Sequence, residues 1–130
     1  MPIEVQILGY AGLLQCVQFG LIAIAVNQQH GIRYTAGSRD QVREMTGVPG
    51  RLLRAFNNHF EALVLFTIAV IVVTLGEASS EWTERCAWVY LIAGMLYIPA
   101  YASGLPWIRS FFWLLGFGAT LALLLLALWP

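Results

Sequence analysis

The chain has 130 residues, 59% hydrophobic and 11% charged, with seven basic and seven acidic side chains and no net charge. Soluble domains carry about 25% charged residues, and a chain this short could not bury so much apolar surface in water. Disorder, a disulfide scaffold and a basic nucleic-acid-binding protein are excluded by the same figures, which leaves an integral membrane protein of one domain.

Four apolar segments follow in chain order. They run from about Ile3 to Val26, Leu52 to Leu75, Trp82 to Ser103 and Pro106 to Trp129. Each holds about 20 residues or more, enough at about 1.5 Å per residue to cross about 30 Å of hydrocarbon. Helices are required because every backbone N–H and C=O must find its partner within the segment. A barrel strand needs apolar–polar alternation, and the run Phe111-Phe112-Trp113-Leu114-Leu115 has none. The expected fold is all-α: a bundle of four transmembrane helices.

The first segment opens Met1-Pro2-Ile3-Glu4, with no basic residue ahead of the apolar run, which argues against a cleaved signal peptide. It carries Gln15 and Gln18, and places Gly12, Cys16 and Gly20 at four-residue spacing, a pattern that permits close helix contact. The connection from Asn27 to Gly50 is long and polar, with several Gly and Pro breakers. Gly76 to Glu81 is short and acidic. Gly104-Leu105-Pro106 is a tight turn with Pro106 suited to a first helical turn. Cys16 and Cys86 fall at different depths, so no disulfide is expected. His30 and His59 lack zinc spacing, and no metal is expected.

All seven basic residues are arginines. Arg33, Arg39, Arg43, Arg51 and Arg54 lie in or just after the long connection, and Arg109 opens the fourth segment at the same membrane face. Only Arg85 lies on the other side, beside Glu77, Glu81 and Glu84. By the positive-inside rule the long loop is cytoplasmic and both termini lie across the membrane. Arginine without lysine suits planar, bidentate anion recognition; compositional bias explains it equally well.

Arg51, Arg54, Asn58 and Glu61 are spaced three, four and three apart. At about 100° per residue they share about 80° of one helix face. Glu61 lies well inside the apolar region, where a charge costs about 2.5–3.5 kcal/mol, so it must face a partner or a water-filled cavity. A buried polar cleft is one outcome; an Arg–Glu–Asn network that only joins helices is the other. His59 points well away from this stripe and suits an interhelical hydrogen bond. In the third segment Tyr90, Gly94, Tyr97 and Tyr101 form an aromatic stripe, interrupted near its end by Pro99. Arg109, followed by Ser110, either snorkels to the membrane boundary or joins Arg51 and Arg54 at a common depth.

The run from Gly50 to Phe66, with Arg51, Arg54, Ala55, Asn58 and Glu61, resembles the second-helix signature of the MAPEG family, membrane-associated proteins of eicosanoid and glutathione metabolism. Tyr97, Tyr101, Pro106, Arg109 and Ser110 resemble its second signature. The resemblance covers nearly the whole chain and implies a homotrimeric bundle with glutathione sites between subunits at the cytoplasmic face. It implies that Arg54, Asn58 and Glu61 hold the tripeptide, that Arg51 does so or is structural, and that Tyr97 and Tyr101 line the site. Arg33 would reach a neighbour's site, and Arg109, with Ser110, would activate the thiol. The chain departs from the family where a glutamate often precedes the position of Arg51: here it is Gly50.

Glutathione offers two carboxylates for arginines and an ammonium for a glutamate. A nearby cation favours its thiolate, which would attack a lipophilic electrophile or hydroperoxide arriving from the bilayer. Glutathione is thus the expected co-substrate, and a lipophilic small molecule and lipids the expected partners. The alternative is a non-catalytic, lipid-binding or accessory subunit of a larger membrane complex with the same fold. A transporter or proton relay through Glu61 is least favoured, since one acid near one face makes no path. Short loops and no targeting signal suit a bacterial inner membrane.

Overall fold

In the computed structural model residues 1–31 and 46–130 are described, and all regular structure among them is helical. Helix α1 spans Ile3–His30, α2 Gly47–Leu75, α3 Glu81–Ala102 and α4 Pro106–Leu128. They coincide with the four apolar segments. α2 starts earlier than the apolar run, because Pro49 falls in its first turn, where a missing N–H costs nothing. Arg33, Arg39 and Arg43 lie outside the described residues.

Helices α1, α2 and α4 are each long and apolar enough to cross a membrane. α3, the shortest at 22 residues, carries Glu81, Glu84 and Arg85 in its opening turns. It packs against all three other helices, most extensively against α4, whereas the backbones of α1 and α4 stay apart. The outward surface is apolar, with Leu13, Val17, Ile24, Val64, Ile68, Ile71, Leu114, Leu121 and Leu125 exposed. Water would not tolerate so large a patch; lipid solvates it.

The core is built from small and aromatic residues. Ile7 and Ala11 of α1, Phe66, Ala69 and Val73 of α2, Ala87 and Tyr90 of α3, and Leu123 of α4 close on one another. The Phe66 and Tyr90 rings stack with centroids 3.9 Å apart. A second cluster sits at the other end of α3, where Ala55 meets Tyr97 and Tyr101. The small-residue stripe of α1 makes no close contact among the described residues. Cys16 and Gly20 are exposed, and a Cβ placed on Gly12 or Gly20 would meet nothing within 4 Å.

Two turns fix the helix ends. At the start of α3, Ser80 and Thr83 form a reciprocal capping box. Thr83 Oγ1 also lies 2.6 Å from Glu4 Oε1, and Ser79 Oγ donates to the same oxygen at 2.7 Å. Glu4 is fully buried, so a carboxylate ties the first turn of α1 to the first turn of α3. At the end of α3, Gly104 adopts φ 80°, a left-handed conformation that glycine takes without steric cost. Arg51 packs over Gly104, its nearest atoms 3.8 Å from where a Cβ would stand, and its Nε donates to the Ala102 carbonyl at 2.9 Å.

Candidate functional site

The start of α2, the end of α3 and the start of α4 converge at one end of the bundle. Their meeting point is Tyr101, which is buried. The Arg109 guanidinium carbon lies 4.8 Å from the Tyr101 ring centroid, and that of Arg54 lies 5.9 Å away. Both cations therefore rest on one aromatic ring, an attraction that strengthens as water is excluded. Tyr97, one turn along α3, meets Tyr101 edge to face with centroids 5.5 Å apart. The Asn58 amide donates to the Tyr97 hydroxyl at 2.9 Å.

These contacts shape an open hollow of about 430 Å³ lined by Asn58, Tyr97, Tyr101, Arg109, Ser110, Trp113 and Leu114. That volume falls within the usual range for small-molecule sites, about 300–1,000 Å³. A narrower, mostly apolar cleft of about 160 Å³ runs from it between α2, α3 and α4. The two share Asn58, Tyr97 and Trp113. Glu61, His59, Leu65, Tyr90 and Phe117 are among the residues that line the rest of it.

Helix periodicity thus gathers Arg54, Asn58, Tyr97, Tyr101, Arg109 and Ser110 at one place. The other candidate residues stand outside this gathering within one chain. Arg54 and Glu61 are exposed on the surface of the chain, Glu61 at the rim of the apolar cleft. Within one chain Ala55, His59 and Phe66 occupy the inner face of α2, which leaves Arg54 and Glu61 exposed while Asn58 still reaches Tyr97. Arg51 is half-buried and spends its Nε on the end of α3, so it stands apart from the hollow. Arg33 lies outside the described residues. No network locks the cluster either: among the described residues the one ion pair joins Arg85 and Glu81, far from this end.

Two features of the interior escaped the sequence reading or were only half seen. Glu4, given no role by the sequence, is buried; an acid within the first turn, beside another helix's Ser-Ser-x-x-Thr start, was the available signal. His59 does make the interhelical hydrogen bond expected of it: its Nδ1 pairs with Gln15 Oε1 of α1. Cys16 and Cys86 are free thiols.

Fold and site define an integral membrane helix bundle with an arginine-lined recess at one end. The MAPEG family model matches residues 7–129, nearly the whole chain. The chain belongs to the MAPEG family, and its function lies, in general terms, with that family's membrane glutathione-related transferases and peroxidases or with a related function. No curated protein matches it.

Proposed function

We propose that the protein is a glutathione-dependent membrane transferase or peroxidase acting on lipophilic electrophiles or hydroperoxides. The observation that carries this is the pair of arginines on Tyr101. Neither Arg54 nor Arg109 has a carboxylate partner among the described residues; Arg109 lines a hollow open enough for a ligand, and Arg54 lies against the Tyr101 ring that borders it. Cations at membrane depth are costly unless something anionic meets them.

Glutathione supplies that anion. Arg54 takes a carboxylate by paired N–H···O bonds, Glu61 takes the ammonium, and Asn58 with the tyrosines frames the peptide. Arg54 and Glu61 face outward, so a second copy of the chain closes the site; a homotrimer meets this need. Arg51 positions the α3–α4 turn that carries Tyr101 toward Arg109. Arg109 and the Ser110 hydroxyl stabilise the thiolate, each pKa unit of lowering corresponding to about 1.4 kcal/mol. The long loop then lies on the cytoplasmic side, of a bacterial inner membrane.

The second substrate enters the apolar cleft from the bilayer. With an electrophilic carbon, a C–S bond forms and the leaving group departs, or an epoxide opens and its oxygen takes a proton. With a hydroperoxide, the thiolate attacks the distal oxygen, the O–O bond breaks, and an alcohol and a sulfenic acid result. A second glutathione converts the sulfenic acid to a disulfide and water.

The test is the ultraviolet absorbance of the thiolate when glutathione is added to protein in nanodiscs. Wild type develops the band at neutral pH, and Arg109→Ala loses it while still binding the tripeptide. Saturable binding without any thiolate band in wild type would refute the catalytic role and favour the accessory subunit.

A further inference from the structure

A second groove, between α3 and α4, opens toward the other end of the bundle from the arginine-lined recess. It encloses about 340 Å³. Trp82, Arg85 and Val89 form its α3 wall, spaced three and four apart on one helix face. Leu114, Leu115 and Gly118 form the α4 wall, and Leu114 is the residue it shares with the hollow. Trp82, Leu114 and Leu115 are exposed on the outside of the chain. A Cβ placed on Gly118 would meet nothing within 4 Å, so the absent side chain leaves room there.

The groove runs from charge to hydrocarbon. At its mouth the Arg85 guanidinium carbon lies 5.1 Å from the Trp82 ring centroid, and Arg85 Nη2 pairs with the Glu81 carboxylate one turn back. Among the described residues that guanidinium has no other hydrogen-bond partner, although it carries five N–H donors. Trp and Arg are side chains that settle at headgroup level. From Trp82 to Val89 the wall runs about 10 Å along the helix axis, within the roughly 15 Å of hydrocarbon in one leaflet. A cation and an anion side by side above an apolar trough complement a zwitterionic headgroup with its acyl chain below.

We propose that this groove holds one phospholipid whose headgroup joins a phosphate to a primary ammonium, a phosphatidylethanolamine. The phosphate accepts from the open N–H groups of Arg85, the ammonium donates to the Glu81 carboxylate, and one acyl chain lies along Val89, Leu115 and Gly118. A phosphatidylcholine keeps the phosphate but has no N–H for Glu81. A phosphatidylglycerol has no cation to offset that carboxylate. Nothing in this site depends on glutathione.

The experiment titrates the full chain, delipidated in mild detergent, with the three lipids carrying identical acyl chains, and counts bound lipid per chain by native mass spectrometry. Phosphatidylethanolamine saturates at one per chain and binds about three- to fivefold more tightly than phosphatidylcholine, the effect of one exposed charge contact. Glu81→Gln removes that difference and leaves phosphatidylcholine binding unchanged, whereas Arg85→Gln weakens both lipids alike. Gly118→Leu fills the groove and weakens both about tenfold or more, while its helical circular dichroism matches wild type. Glu81→Gln lies at the exposed mouth and tests the headgroup contact without touching the helix packing. Equal affinity of wild type for phosphatidylethanolamine and phosphatidylcholine, tighter binding of phosphatidylglycerol, or unchanged binding in Gly118→Leu overturns the proposal. A wild type that takes up no saturable lipid, with an oligomer that falls apart in Gly118→Leu, assigns the groove to a second copy of the chain and overturns it as well.

Discussion

Replacing Glu4 by alanine tests whether a buried carboxylate holds the first turns of α1 and α3 together. The side chain accepts from Ser79 at 2.7 Å and from Thr83 at 2.6 Å. Hydrogen bonds to a charged group contribute about 1.5–3 kcal/mol each, so the gross loss is about 3–6 kcal/mol. Three things offset it. The buried charge no longer has to be desolvated, a cost of several kcal/mol. Thr83 Oγ1 turns to the Ser80 carbonyl, already 2.8 Å away. Ser79 is exposed and takes a solvent partner. The net loss is about 1–3 kcal/mol, a fall in Tm of about 5–10 °C. Glu4→Gln keeps the accepting oxygen and removes the charge, so it costs less than about 1 kcal/mol. Both are measured by thermal unfolding in nanodiscs. If Glu4→Ala leaves the midpoint unchanged, or if Glu4→Gln is equally damaging, the carboxylate is not acting through these two hydroxyls. Glutathione binding, at the opposite end, stays as in wild type.

Other substitutions probe the turns and the thiol. Gly104→Ala forces a side chain into a left-handed conformation and lowers stability by about 1–2 kcal/mol in the same unfolding assay, since its φ is 80°. Glu77 already sits at φ 52° in the α2–α3 turn, so Glu77→Gly raises stability by about 1 kcal/mol. Arg51→Ala lowers the midpoint through the lost bond to Ala102, yet changes glutathione Kd less than about threefold, about 0.7 kcal/mol, as calorimetry would show. Arg109→Ala lowers kcat/KM for a lipophilic electrophile about 10- to 100-fold, and raising the pH restores part of the loss, because the thiol then ionises unaided.

Much of the architecture was legible because membranes leave few choices. Apolar runs of spanning length must be helices, and all four appeared close to their expected bounds. Helical period placed Arg54, Asn58 and Glu61 on one face, and Tyr97 with Tyr101 on another; the structure turns both toward Arg109's end of the bundle. The period does not say which face a neighbouring helix covers. Hence the outward exposure of Arg54 and Glu61 was not foreseen: inside one chain, Ala55, His59 and Phe66 make the better contact surface. Arg51 was ambiguous for a similar reason, since its hydrogen bond depends on where the α3–α4 turn returns in space. Glu4 was missed because its partners, Ser79 and Thr83, are remote in sequence. The glycine spacing of α1 was legible as a pattern, but not that its surface would face away from the bundle.

The central claim is that the outward-facing arginine and glutamate of α2 hold a zwitterionic thiol tripeptide. Its most direct test is calorimetric titration of glutathione into the protein in nanodiscs, comparing wild type with Arg54→Ala and Glu61→Gln. The account predicts saturable binding in wild type and a Kd raised about tenfold or more in each variant, the loss of one charge-assisted contact. Heat that fails to saturate in wild type, or identical isotherms for all three proteins, would contradict it.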